Sequence, residues 1–74
     1  MDSRVEIFTD YIKLDSFLKY AAFAASGGEA KELIKDGFVT VNGAACFERG
    51  KKLRDGDTVS CGGMTVTVFK RNEN

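Results

Sequence analysis

A chain of 74 residues has room for one domain, and at that size folding hides only about 60% of the surface the unfolded chain exposes, so modest stability is expected. Hydrophobic residues at 43% exclude a disordered composition, and 11 basic against 11 acidic residues exclude attraction to polyanions through net charge alone. With no histidine and two cysteines, the chain lacks a four-ligand Cys/His zinc set and the commonest general base, so no metal or other cofactor is expected.

Met1 to Phe8 carries acids where a secretory signal needs a basic head and an apolar middle, and the longest apolar run, Ala21 to Ala25, is far short of a membrane span. A cytoplasmic protein is expected. Val5 to Phe8 reads as a first strand, after which Thr9 or Asp10 turns the chain toward a helix predicted over about Lys13 to Phe23. Leu14, Phe17, Leu18 and Ala21 give that helix one apolar stripe, and its Ala-rich tail predicts close approach to a neighbour. Ser26-Gly27-Gly28 reads as the connection to a second helix. There Ser26 and Glu29 have capping-box spacing, with Glu29 placed to reach the Ser26 N–H; Ala30, Leu33 and Ile34 form the stripe, and Gly37 is the stop.

Phe38 to Val41 then reads as a strand and Asn42-Gly43 as a reversing turn, pairing it with Ala44 to Phe47. A basic loop follows. Thr58 to Cys61 turns through Gly62-Gly63 into Met64 to Phe69, where Met64, Val66 and Val68 alternate with Thr65, Thr67 and Phe69 as one face on a core requires. Lys70 to Asn74 reads as a frayed tail. Cys46 and Cys61 are expected to be reduced packing residues.

Charge is uneven along the chain. Eight Lys or Arg against five Asp or Glu lie between Tyr11 and Arg54. Their densest part is Arg49-Gly50-Lys51-Lys52-Leu53-Arg54, either a solvated loop or a local patch for polyanions. At about 100° per residue, Lys31 and Lys35 fall together on one flank of the second helix's stripe, with Glu29, Glu32 and Asp36 on the other. The start of this helix, beside Gly27 and Gly28, offers backbone N–H groups to an anion in competition with Ser26 and Glu29. The paired carboxylates Glu29 with Glu32 and Asp55 with Asp57 fit capping and turn roles, and no nucleophile or phosphate-loop motif is present.

The run Ser26 to Gly43, SGGEAKELIKDGFVTVNG, resembles the centre of the S-four RNA-binding domain, whose pattern reads basic-Leu-Asp, helix, Ser-basic, Ala-Lys, Ile, Gly, Val, Val-Asn-Gly. Lys13-Leu14-Asp15-Ser16-Phe17-Leu18 is similar to the family's first-helix motif, and Leu53, Gly56-Asp57 and Val59 to its closing positions. The resemblance implies a single domain over 1–74 with its core at about 11–69, a stand-alone bacterial member. It implies an α+β fold in which a two-helix hairpin, the alpha-L motif, packs on a small, mainly antiparallel sheet. It further implies non-catalytic binding of structured RNA, rRNA or tRNA among the candidates, by a ribosome-associated monomer. Carried over by position, the RNA face is Lys13, Ser26, Gly27, Lys31 and Lys35, with Lys19 a further candidate. Gly27 stands where the family often has Arg, and Arg49, Lys51, Lys52 and Arg54 are candidate compensating contacts from local charge. Val41 to Val59 also resembles small sulfur-carrier proteins, which implies as the alternative a protein-binding or carrier module of the ubiquitin-like type, but those carriers need a C-terminal Gly-Gly, and here Gly62-Gly63 is internal.

Overall fold

The computed structural model describes residues 2–71, which run in order through β1 (Asp2–Ile7), β2 (Ile12–Lys13), α1 (Leu14–Tyr20), α2 (Gly27–Lys35), β3 (Val39–Val41), β4 (Ala44–Ala45), β5 (Lys52–Leu53), β6 (Thr58–Cys61) and β7 (Met64–Lys70). The fold is α+β, two helices with a mostly antiparallel sheet of order β1-β7-β6-β3-β4. Its one parallel pair is β1 with β7; β2 and β5 form a separate two-stranded ladder.

Alternation along the strands sets the two faces of the sheet. Val39 and Val41 on β3, Val59 on β6 and Val66 and Val68 on β7 are buried with Leu14, Phe17 and Leu18 of α1 and Ala30 and Ile34 of α2 in one core. Met64 continues the inward alternation of β7 but lies at the sheet's end, exposed. Cys46 and Cys61 are free, half-buried and packed at the core's edge. Each is opposite Val39, Cys61 in the β3–β6 register and Cys46 through its N–H to the Val39 carbonyl at 3.0 Å. Two strand spacings therefore separate them, roughly 9.5 Å, beyond the Cα reach of about 7 Å for a disulfide.

The first helix is shorter than its composition suggests. It was expected to run to Phe23 but ends at Tyr20, because Ala22 takes φ 66° and the chain reverses. The Phe23 N–H bonds the Leu18 carbonyl at 2.8 Å and the Ala22 N–H bonds the Lys19 carbonyl at 3.1 Å. This is a complete Schellman motif with alanine at the left-handed position. The Ala-rich segment is thus the interhelical connection, and Gly27 and Gly28 open α2 instead of linking to it.

The second helix follows its sequence signals more closely. Ser26 Oγ accepts from the Glu29 N–H at 3.2 Å, while the Glu29 carboxylate reaches one residue further back than expected, to the Ala25 N–H at 3.3 Å. Gly37 at φ 80° ends the helix, with Phe38 N–H to Leu33 carbonyl at 3.1 Å and Gly37 N–H to Ile34 carbonyl at 3.2 Å, a second Schellman motif. Leu33, expected in the buried stripe, is only half-buried, because Ala30 and Ile34 take the positions facing the core.

Asn42 (φ 52°) and Gly43 (φ 86°) make the expected two-residue turn of type I′ between β3 and β4, and Gly62-Gly63 (φ 62° and 83°) does the same between β6 and β7. Asn42 also locks a distant turn, since its Oδ1 accepts from Thr58 N–H at 2.9 Å and its Nδ2 donates to Asp57 Oδ1 at 3.1 Å. Asp57 Oδ2 accepts from the Arg54 N–H at 2.8 Å, so the Asn-Gly and Gly-Asp motifs form one hydrogen-bonded unit. β1 starts earlier than expected, and β7 runs through Lys70, one residue into the segment read as frayed; positions 72–74 of that segment lie outside the described residues.

Candidate nucleic-acid interface

The N-cap side chain does not cap the start of α1, because Lys13 holds that position and has no acceptor to offer. The basic loop does it instead. The Leu14 N–H bonds the Lys51 carbonyl at 2.9 Å and the Asp15 N–H bonds the Arg49 carbonyl at 3.2 Å. With the Arg49 and Lys51 carbonyls turned to the helix, these two residues and Lys52 are gathered about the start of α1 with Lys13, all four exposed. The β2–β5 ladder tightens this grouping by setting Lys13 directly opposite Lys52. Like charges in that position repel, at a cost of roughly 0.2–1 kcal/mol.

Tyr11 underlies the same cluster. Lys52 Nζ lies 4.9 Å and Arg54 Cζ 5.6 Å from its ring centroid, distances at which the aromatic face attracts a cation.

At the opposite end of α1, Lys19 stands beside the start of α2: a methyl placed at Gly27 would lie 3.9 Å from Lys19 Nζ. The ammonium therefore occupies the neighbourhood from which the family's usual arginine side chain would project. A cation here faces the positive end of the α2 dipole, which is unfavourable for the protein alone. Ser26 Oγ is committed to its cap, while the Gly27 and Gly28 amides open the helix and lie outside its internal ladder. From Gly27, steps of four residues lead along one helix face to Lys31 and Lys35.

Lys31 and Lys35 reach the loop cluster through Arg49. With Ile34 and Phe47, these three cations line a shallow open groove of about 260 Å³. Lys19, near the end of α1, thus adjoins the start of α2, while Arg49, bonded to the start of α1, lines the groove with Lys35 at the end of α2.

The ten candidate positions fall into three local groups: Lys19 with Ser26 and Gly27 at the start of α2, Lys31 and Lys35 with Arg49 along the groove, and Lys13 with Lys51, Lys52 and Arg54 about the start of α1 and Tyr11. Among the described residues none of the eight cations between Lys13 and Arg54 has a carboxylate within ion-pair distance, whereas Lys70 pairs with Asp10 at 2.7 Å and Arg71 with Glu6 at 3.9 Å. Arg4 lies elsewhere, on the outer face of the sheet over the Phe69 ring at 5.0 Å. The carboxylates of Asp55 and Asp57 are occupied by backbone N–H groups, of Lys70 and Arg54 respectively, in keeping with turn roles. Among the described residues no three His, Cys, Asp or Glu side chains converge to hold a metal ion, and no helix is long and apolar enough to cross a membrane.

Two aromatic residues of this surface escape a sequence reading. Phe47, assigned to a strand, follows the end of β4 and is 66% exposed. Tyr11 marks only the edge of the charge-rich span until its ring is seen against Lys52 and Arg54. Phe47, two positions before the basic run that starts at Arg49, carried a signal in the sequence; Tyr11 stands beside no such run, and its contact with the loop is made only by the fold.

Two helices bearing cations without carboxylate partners among the described residues, built from the basic-Leu-Asp, Ser, Val-Asn-Gly and Gly-Asp motifs, define the class of protein. The S4 domain family matches residues 5–69, and the chain belongs to that family. It is also similar to the probable ribosome maturation protein RlbA of Bacillus subtilis (strain 168), at 40% identity over 64 residues that cover 86% of this chain and 90% of that protein.

Proposed function

We propose that the protein is a non-catalytic binder of structured RNA, acting in the cytoplasm as a monomer on ribosomal RNA or another folded RNA. One observation carries this reading: the cations from Lys13 to Arg54 are gathered against one another and against a helix start, without carboxylate partners among the described residues. That arrangement is costly in isolation and favourable once a polyanion is applied to it. The Bacillus subtilis relative, named for ribosome maturation, supports the choice of ribosomal RNA. In this reading the two helices act as the alpha-L motif, presenting Lys13, Lys19, Ser26, Gly27, Lys31 and Lys35 to the RNA, with Arg49, Lys51, Lys52 and Arg54 extending the contact. A-form RNA hides its base edges in a deep groove, so this surface reads backbone shape and charge.

Binding to ribosomal RNA and tRNA transcripts, measured against salt, tests the proposal. Contact with roughly four to six phosphates gives a slope of log affinity on log salt of about −3 to −5. Lys31→Glu with Lys35→Glu, and separately Lys51→Glu with Lys52→Glu, should each reduce that slope by about 1.4 to 1.8. Arg4→Glu, on the outer sheet face, should leave it unchanged. Equal losses from Arg4→Glu and the helix pair would mean diffuse attraction and no defined site.

A further inference from the structure

Phe47 is the one exposed member of the groove that charge does not explain. Its ring leans on the backbone at Gly37, where an added methyl would come within 3.4 Å of Cε1 and 3.6 Å of Cζ, yet the residue remains 66% exposed. A single exposed phenylalanine needs no explanation by itself. This one is flanked by Lys31, Lys35 and Arg49, with Ile34 at its floor and no carboxylate in the lining. At about 260 Å³ the groove falls below the range of roughly 300–1,000 Å³ typical of pockets that enclose a small molecule. It is a shelf, with a flat apolar surface bordered by cations. Bases stack on such surfaces through their π faces while basic side chains track the backbone.

We propose that Phe47 is a stacking platform for one unpaired RNA base, with Lys31, Lys35 and Arg49 holding the phosphates on either side of it. The inference rests on the RNA-binding reading above and deepens it. The helix face grips paired RNA by charge, and Phe47 selects the place where a nucleotide leaves the helix. Base stacking tolerates any sequence, so the preference is for an unpaired nucleotide and not for a particular base.

The test uses two RNA hairpins identical except for a single-nucleotide bulge in one stem. Wild-type protein should prefer the bulged hairpin by about 5- to 150-fold, the range a stacked base supplies. Phe47→Ala and Phe47→Leu should abolish that preference while leaving affinity for the fully paired hairpin and its salt slope unchanged. Phe47→Trp should retain it. Circular dichroism and urea unfolding of each variant establish that the fold is intact. If wild-type protein binds both hairpins alike with a steep salt dependence, the stacking inference is wrong and RNA binding stands. If neither hairpin is bound in a salt-sensitive way, both readings fall. A bulge preference that survives in Phe47→Ala, or equal weakening on both hairpins, would show that Phe47 does not stack a base.

Discussion

Ala22 holds a left-handed backbone conformation that costs an L-residue roughly 1–2 kcal/mol. It does so because the Schellman turn after α1 requires that conformation wherever the chain must reverse. Glycine removes the strain but gives the unfolded chain more freedom, which offsets roughly 0.4–1 kcal/mol. Ala22→Gly should therefore stabilise the protein by about 0.5–1 kcal/mol, read as a higher urea midpoint at unchanged slope. No gain would mean that the turn relaxes without strain. The comparison with Gly37 explains what was legible at this scale. Gly37 and Asn42-Gly43 announce positive φ by residue type, whereas alanine, the best helix former, points to the opposite conclusion at position 22. The Ser26 cap was similarly readable, but the choice of Ala25 over Ser26 as the partner of Glu29 depended on local geometry that residue types do not encode.

Among elements, α2 shows how a correct periodicity can still misplace its weight. Ala30, Leu33 and Ile34 all belong to the apolar arc, yet Ala30 and Ile34 are buried while Leu33 lies at the margin. Ile34→Ala should accordingly cost roughly 2–5 kcal/mol in urea unfolding, and Leu33→Ala about half as much. The reverse order would show that the helix is rotated about its axis. Spacing gives the arc, but only the packing partners fix its centre. The β2–β5 ladder was invisible for a different reason: with two residues in each strand, no alternation can develop. Its absence from the sequence reading hid the link between Lys13 and the basic loop. Lys13 is implied by the family resemblance and the loop by its local charge, but their adjacency is made by this ladder and by the backbone cap on α1.

Across the whole molecule, Asp10 and Lys70 join the segment after β1 to the end of β7. The hydrogen bond from Lys70 holds the Asp10 carboxyl below its usual range; the charge of Lys70 and, after some opposing desolvation, that of Arg54 add to the effect. A lowered pKa in the folded state means that this link stabilises above the unfolded carboxyl value of about 3.9 and is lost as pH falls through the folded value. The urea midpoints of wild type and Asp10→Asn should differ near neutral pH and converge in acid. Both side chains are exposed, so the difference should be small and should fade in high salt. A constant difference across pH would assign the effect to something other than the titration of Asp10. The parallel β1–β7 pairing has a kinetic consequence as well. Its partners, such as Ser3 with Val66 and Val5 with Val68, are 63 positions apart, whereas the hairpins turning at Asn42-Gly43 and Gly62-Gly63 join near neighbours. Loop-closure entropy disfavours forming the distant pair before the local ones, so β1 should dock late, after the rate-limiting barrier. Ile7→Ala should then accelerate unfolding while leaving the folding rate nearly unchanged; a proportionate slowing of folding would place β1 in the nucleus.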